Sequence, residues 1–229
     1  MLMITDLFRI ASILALGFLL SCNSVNSSNG PAVPASEPQP TPNSVASIPA
    51  GHQTAVFAGG CFWGVEAVFE HIKGVKDVKS GYAGGSAKTA KYDAVGNGDT
   101  GHAEAVQVTF DSAQVSYEQL LEVFFKVAHD PTELNRQGPD EGPQYRSAIF
   151  YIDEAQKKAA SSYMEKLGAT GVYKKEIVTQ VAPLEKFYDA EAYHQDYLPR
   201  NLDSPYIIYH DLPKLENLKK QFPALYLKK

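Results

Sequence analysis

Thr54-Ala55-Val56-Phe57-Ala58-Gly59-Gly60-Cys61-Phe62-Trp63-Gly64-Val65 is the stretch from which the rest of the chain can be read. Thr54 to Ala58 is an apolar run of strand type. Beyond Cys61, the residues Val65, Val68, Phe69 and Ile72 recur at helical spacing. The three glycines between and beside these runs allow a sharp turn and a close approach to the backbone. Cys61 is therefore expected where a strand turns into a helix N-terminus. Unpaired N–H groups and the helix dipole at such a position favour an anion, here a thiolate. Phe62 and Trp63, the only tryptophan of the chain, follow as an apolar wall beside the sulfur. The plainer alternative is a buried, inert cysteine in a glycine-rich turn.

Working outward, further elements are legible. Val75 to Tyr82 alternates like a strand, and residues 103–110 form another. Ser116 with Gln119 makes a capping box, and the helix behind it carries Leu120, Leu121, Phe124, Phe125 and Ala128. Ser147 to Ile152 is an apolar strand. Asp153 caps a helix running to about Leu167, and Glu176 to Ala182 is a further strand. The leading order β-α-β-β-α-β is that of a ferredoxin-like split βαβ. It predicts one α+β sandwich over residues 52–229 with an irregular C-terminal extension, Tyr206 to Lys229, lying over one edge. The long loops 83–102 and 129–145 are rich in glycine and polar residues, a mark of functional loops.

The N-terminal fifth reads differently. Ile10 to Leu20 is nearly all apolar yet too short to span a bilayer. Arg9 precedes it and Leu19-Leu20-Ser21-Cys22 closes it, which predicts a signal peptide over residues 1–21. Its end resembles the lipobox of bacterial lipoproteins, with Cys22 as the lipidated residue; an ordinary signal peptide or an uncleaved anchor is the alternative. Residues 22–51 form a linker, and positions 23–50 hold six Pro, six Ser, four Asn and one charge, Glu37. Such a composition cannot bury enough apolar surface to fold. The expected location is the cell envelope, lipid-anchored and facing the periplasm, with Asn23 pointing to the outer membrane.

Of 229 residues, 44% are hydrophobic and 21% charged, as in ordinary globular chains. A net charge of −5 argues against nucleic acid or an anionic membrane surface as partner. Of the two cysteines, Cys22 ends the apolar N-terminal stretch and is the expected lipidation residue, so no structural disulfide is expected. The six histidines show no ligand spacing and suggest no metal site. His102 reads as structural, Tyr82 as packed, and Asp130-Pro131 as a turn.

Four motifs occur in order: Gly60-Cys61-Phe62-Trp63-Gly64, Gly81-Tyr82-Ala83-Gly84-Gly85, Thr100-Gly101-His102-Ala103-Glu104 and Gln144-Tyr145-Arg146-Ser147. Together they resemble the A-type peptide-methionine sulfoxide reductases, which reduce the S epimer of methionine sulfoxide. The likeness runs over residues 52–200 and implies a ferredoxin-like α+β domain. It makes Cys61 the nucleophile and Glu104 the acid beside the sulfoxide oxygen. Tyr92 and Tyr145 become donors to that oxygen, Phe62 and Trp63 the walls for the substrate methyl, and Asp140 a second acidic residue. Many members also carry resolving cysteines, and here residues 52–229 contain no cysteine besides Cys61. The resemblance then implies a Cys61 sulfenic acid reduced by an external thiol, a thioredoxin-like protein in the cell or dithiothreitol in vitro, with no bound cofactor. Oxidised proteins or free methionine sulfoxide are the substrates, and a monomer is expected. Two readings compete: a cysteine peptidase or acyltransferase pairing Cys61 with His102 or His194, and a non-enzymatic binding lipoprotein.

Overall fold

The computed structural model describes residues 51–229. The expected leader, Cys22 and the linker up to residue 50 lie outside them. In chain order the elements are β1 (His52–Gly59), α1 (Phe62–Glu70), β2 (Val75–Ala83), α2 (Tyr92–Gly96), β3 (Ala103–Asp111) and α3 (Tyr117–Val123). They continue with β4 (Arg136–Gln137), β5 (Asp140–Glu141), β6 (Ser147–Tyr151), α4 (Glu154–Ala169), β7 (Gln180–Pro183), β8 (Phe187–Asp189), α5 (Tyr197–Arg200) and α6 (Leu212–Gln221).

Six strands form one mixed sheet in the order β7-β6-β1-β3-β2-β8. The four inner strands, β6-β1-β3-β2, are all antiparallel, and β7 adds to β6 in parallel. The sheet is strongly curled, as the connection between its two edges requires. Five strand spacings of about 4.8 Å would part the edges by about 24 Å if the sheet were flat. Yet β7 and β8 are joined by residues 184–186 alone, which reach about 14 Å at full extension.

The main core lies between one face of the sheet and the helices. Phe57 of β1 stacks on Phe69 of α1 at 5.0 Å and on Phe124 at 4.9 Å. Its immediate neighbours point to the other face, where Val56 and Ala58 join Ala83, Ala103, Ala105, Ala148, Phe150 and Phe187 in a smaller buried cluster. Alanine makes up most of that cluster. Burying one large aromatic such as Phe57 contributes roughly 1.5–3 kcal/mol.

Helix starts follow their local chemistry. Ser116 Oγ accepts the Gln119 N–H while the Gln119 side chain accepts the Ser116 N–H, so the capping box forms. Asp153 caps α4 through the Gln156 N–H at 2.8 Å. Beyond Val123 the helix widens into a π-helical turn, Phe124–Ala128.

Three expectations need correction. The strand expected from Glu176 begins at Gln180 as β7, because the Val178 N–H donates to Pro131 O at 2.8 Å instead of joining β6, and a further strand, β8, follows it. The C-terminal segment is not irregular: Leu212–Gln221 is a helix, with Pro213 in its first turn and Leu218 fully buried. It lies against α1. Beyond it, Lys73 N–H donates to Leu225 O and Leu227 N–H to His71 O, both at 2.8 Å, tying the tail across the end of α1. The long loops also hold order of their own: α2 lies in the first, and the β4–β5 ribbon in the second.

Candidate active site

Cys61 stands where β1 turns into α1, as its N-cap residue, with φ −52° and ψ 123°. Two constraints make the turn. Gly60 has φ +91°, and a Cβ there would come within 2.5 Å of the Gln137 side chain. A single glycine thus reverses the chain and lets the loop after α3 close over it. Cys61 has no side chain able to cap the helix. The carboxylate of Glu104, on the neighbouring β3, instead accepts the Phe62 N–H through Oε2 at 3.1 Å. Strand register therefore places an acid at the start of the nucleophile's helix.

Both groups are buried, Cys61 at 8% and Glu104 at 3% exposure. Burial pushes the Glu104 carboxyl up to about 8, against the Phe62 N–H and with a further rise from Asp140. Glu104 is thus largely protonated at neutral pH. Burial also raises the Cys61 thiol well above its ordinary value; Glu104 and Asp211 add to the rise, while the Trp63 N–H and Lys214 oppose it. The expectation of a thiolate favoured by the helix N-terminus is corrected here. One N–H group and a dipole do not offset removal from water beside two carboxyl groups.

The other expected residues converge on the same place. Tyr92 opens α2 and is held by its N–H, which donates to Glu191 Oε1 at 3.0 Å. Its hydroxyl is pushed up to about 12 by burial, then by Glu104 and Cys61. Tyr145 closes the short 3₁₀ turn Pro143–Tyr145, and burial followed by Glu104 and Asp140 raises its hydroxyl as well. Both phenols stay protonated donors around the Cys61–Glu104 pair. Asp140, on β5, accepts the Tyr206 O–H at 2.5 Å.

The apolar wall is built from far along the chain. Trp63 stacks on Tyr197 at 3.8 Å and 10°, meets Tyr206 edge-on at 5.9 Å, and donates its indole N–H to His194 Nδ1 at 3.1 Å. Phe62 packs on His194 at 5.0 Å and on Tyr82 at 5.9 Å. Because His194 Nδ1 is an acceptor, the ring is neutral, and burial lowers its pKa. Tyr197, Tyr206 and Glu191 lie in no sequence motif that marks them as site residues, and sequence offered His194 only as a base for the thiol, not as the acceptor of the Trp63 indole N–H. The aromatic density of Tyr193-His194-Gln195-Asp196-Tyr197 was the one available signal.

Neither histidine of the peptidase reading serves the thiol. His194 Nδ1 is engaged by Trp63, His102 meets Ser86 O through Nε2 at 2.9 Å, and neither is among the groups that shift the Cys61 thiol. Tyr82 is fully buried and donates its hydroxyl to Glu191 Oε2 at 2.8 Å. Asp130 makes the expected turn by accepting the Thr132 N–H at 2.9 Å.

A buried thiol, a neutral carboxylic acid and two phenols around an aromatic wall suit attack on a sulfur whose oxygen must take a proton. Comparison with known proteins agrees. The family model for peptide methionine sulfoxide reductase matches residues 53–225. Peptide methionine sulfoxide reductase MsrA 2 of Mesorhizobium japonicum is 55% identical over 179 residues, 78% of this chain and 92% of that one. The protein of the same name from Synechocystis is 50% identical over 180 residues, 79% and 84% of the two chains. Among solved structures, Mxr1 from Saccharomyces cerevisiae in reduced form is similar with a TM-score of 0.65 at 33% identity, covering 79% of this chain and 94% of its own. Methionine sulfoxide reductase A of Corynebacterium diphtheriae gives 0.59 at 34%, covering 72% and 83%. The chain belongs to the peptide methionine sulfoxide reductase family.

Proposed function

We propose that the chain reduces the S epimer of methionine sulfoxide through Cys61 alone, with an external thiol closing the cycle. Methionine sulfoxide reduction, and through it repair of oxidised protein, is the activity of the family to which it belongs. The observation that carries the finer reading is the buried pair of Cys61 and Glu104, joined through the Phe62 N–H.

The substrate methyl lies against Phe62 and Trp63, and the sulfoxide oxygen faces Glu104, Tyr92 and Tyr145. Glu104 is held neutral, so it neither repels a forming thiolate nor lacks a proton to give. As the oxygen takes that proton, sulfur becomes electrophilic. Cys61 sulfur attacks it, the thiol proton restores the Glu104 acid, and the two tyrosines stabilise charge on the oxygen. The substrate S–O bond then breaks as its hydroxyl passes to the Cys61 sulfur and the transient sulfur–sulfur bond opens: methionine leaves and Cys61 becomes a sulfenic acid. One thiol then condenses with it to a mixed disulfide and water, and a second releases Cys61 as the thiol. Supply of protons from an acid, rather than a preformed thiolate, accounts for a nucleophile whose resting pKa is raised. Asp140 and Tyr206 close the far side of the site.

The reductant is proposed to be a thioredoxin-like protein, because no second cysteine lies in residues 52–229. Residues 1–21 are proposed as a lipoprotein signal, Cys22 as the lipidated residue, and residues 22–51 as a tether. These would hold the catalytic domain, residues 52–229, as a monomer on the periplasmic side of the envelope. The split βαβ description of the fold rests on the antiparallel order β6-β1-β3-β2.

The test is reduction of separated S and R methionine sulfoxide by purified protein with dithiothreitol, followed by trapping and mass analysis of Cys61. Turnover of S alone with a trapped sulfenic acid is expected. Turnover of R, or an oxidised resting form that is a disulfide within one chain, would refute the mechanism.

A further inference from the structure

Arg146 follows Tyr145 directly and leads into β6. Among the described residues its guanidinium is not paired with a carboxylate; it binds oxygens of three separate segments. Nη1 donates to His102 O at 3.1 Å and to Pro143 O at 2.9 Å. Nη2 donates to Gly101 O at 2.9 Å, and Nε to Gln180 Oε1 at 3.2 Å. The carbonyls of Gly101 and His102 lie just before β3, whose second residue is Glu104. The Pro143 carbonyl opens the turn that ends in Tyr145. Space for the group is kept by Gly84, where a Cβ would stand 2.8 Å from Nη2. The second, third and fourth sequence motifs thus meet on one guanidinium.

We propose that Arg146 is a positioning residue for the oxygen-activating groups, fixing Tyr145 and Glu104 relative to each other by clamping the backbones that lead to them. The inference rests on the functional reading of those two residues given above. The planar fork matters as much as the charge. Its donors reach four acceptors in fixed directions, whereas a lysine presents one ammonium on a flexible stem. Cys61 is held separately, by the β1–α1 corner and Gly60. Arg146 should therefore govern activation of the sulfoxide oxygen without governing the thiol.

The test uses Arg146→Lys and two assays on the same preparations: methionine sulfoxide reduction with dithiothreitol, and alkylation of Cys61 by iodoacetamide, which involves no oxygen to activate. Misplacement of catalytic groups by about 1 Å can lower a rate about 10²-fold. A fall in kcat of about 10- to 100-fold is expected, with alkylation within about twofold of wild type and a cooperative unfolding transition retained. A kcat within about threefold of wild type would overturn the proposal, and so would parallel loss of both reactivities. If Arg146→Lys fails to fold, Gln180→Ala decides. It removes one acceptor of the clamp and touches no site residue; a fall in kcat supports the role and none overturns it. Wild-type protein inactive toward both epimers would overturn the functional reading itself, a result distinct from an active wild type with an indifferent variant.

Discussion

Replacing Glu104 by Gln separates the two demands placed on that residue. With burial pushing its carboxyl up to about 8, Glu104 is mostly protonated at pH 7. The carboxamide of Gln resembles this neutral form and can still accept the Phe62 N–H. The resting environment of Cys61 should then barely change at pH 7, and iodoacetamide should alkylate the variant within about twofold of wild type. Sulfoxide reduction loses its proton donor. General acid catalysis typically contributes about 10²–10⁴-fold, or about 3–5 kcal/mol of barrier, and kcat/KM should fall by that much. Above pH 8 the comparison reverses for the thiol. Wild-type Glu104 becomes an anion that opposes ionisation of Cys61, and the variant lacks it. Alkylation of the variant should then be the faster, while wild-type sulfoxide reduction declines as Glu104 loses its proton. Reduction by the variant within about threefold of wild type at pH 7 would refute the acid role. Alkylation rates that stay equal above pH 8 would refute the electrostatic coupling.

Three further outcomes are expected. Removing the acceptor of the indole N–H by His194→Ala should loosen Trp63 and raise KM about tenfold, with a smaller change in kcat; steady-state kinetics with a peptide sulfoxide checks this. Glu66 is buried in α1 and its carboxyl is pushed up to about 8, chiefly by burial and then by Glu70. A group raised in the folded state stabilises fully below its unfolded pKa and loses that contribution as pH rises towards 8. Denaturant unfolding should thus show stability falling between about pH 4.5 and 8, by about 1.4 kcal/mol per unit for each such group. Glu66→Gln should flatten the slope and leave the share due to Glu104; an unchanged slope would sink this account. Gly64→Ala should destabilise by about 1–3 kcal/mol despite the better helix propensity of alanine, because its Cβ would meet the buried Asp211 Oδ1 at 2.0 Å. A raised melting temperature in that variant would contradict it.

The elements found from sequence were those that local rules govern. Strand alternation in Val75–Tyr82 and 103–110, the Ser116–Gln119 box and the Asp153 cap each follow from neighbouring residues, and each is present. What escaped depends on partners remote in sequence. β8 is three residues long and exists because Phe187–Asp189 meets Gly81–Ala83. Tyr197 and His194 matter because they reach Trp63 across more than a hundred residues. The state of the Cys61 thiol was misjudged for the same reason. The helix N-terminus is visible locally, whereas burial and the carboxyl groups of Glu104 and Asp211 arrive through the tertiary fold. Tyr145 lies in a family motif, Tyr92 and Asp140 follow from the wider resemblance alone, and the structure brings all three around the Cys61–Glu104 pair.

Trp63 is the single tryptophan of the chain, and it stands in the catalytic wall, stacked on Tyr197 and hydrogen-bonded to His194. The molecule thus carries its own optical gauge. Indole emission comes from one known position, with no background from elsewhere in the protein and no label to disturb the pocket. A methyl group settling on that ring, a changed charge on His194, or an oxygen added to the adjacent Cys61 should each alter its brightness or colour. Stopped-flow fluorescence of the unmodified protein could then time substrate arrival, sulfur oxidation and return to the resting thiol as separate events in a single trace.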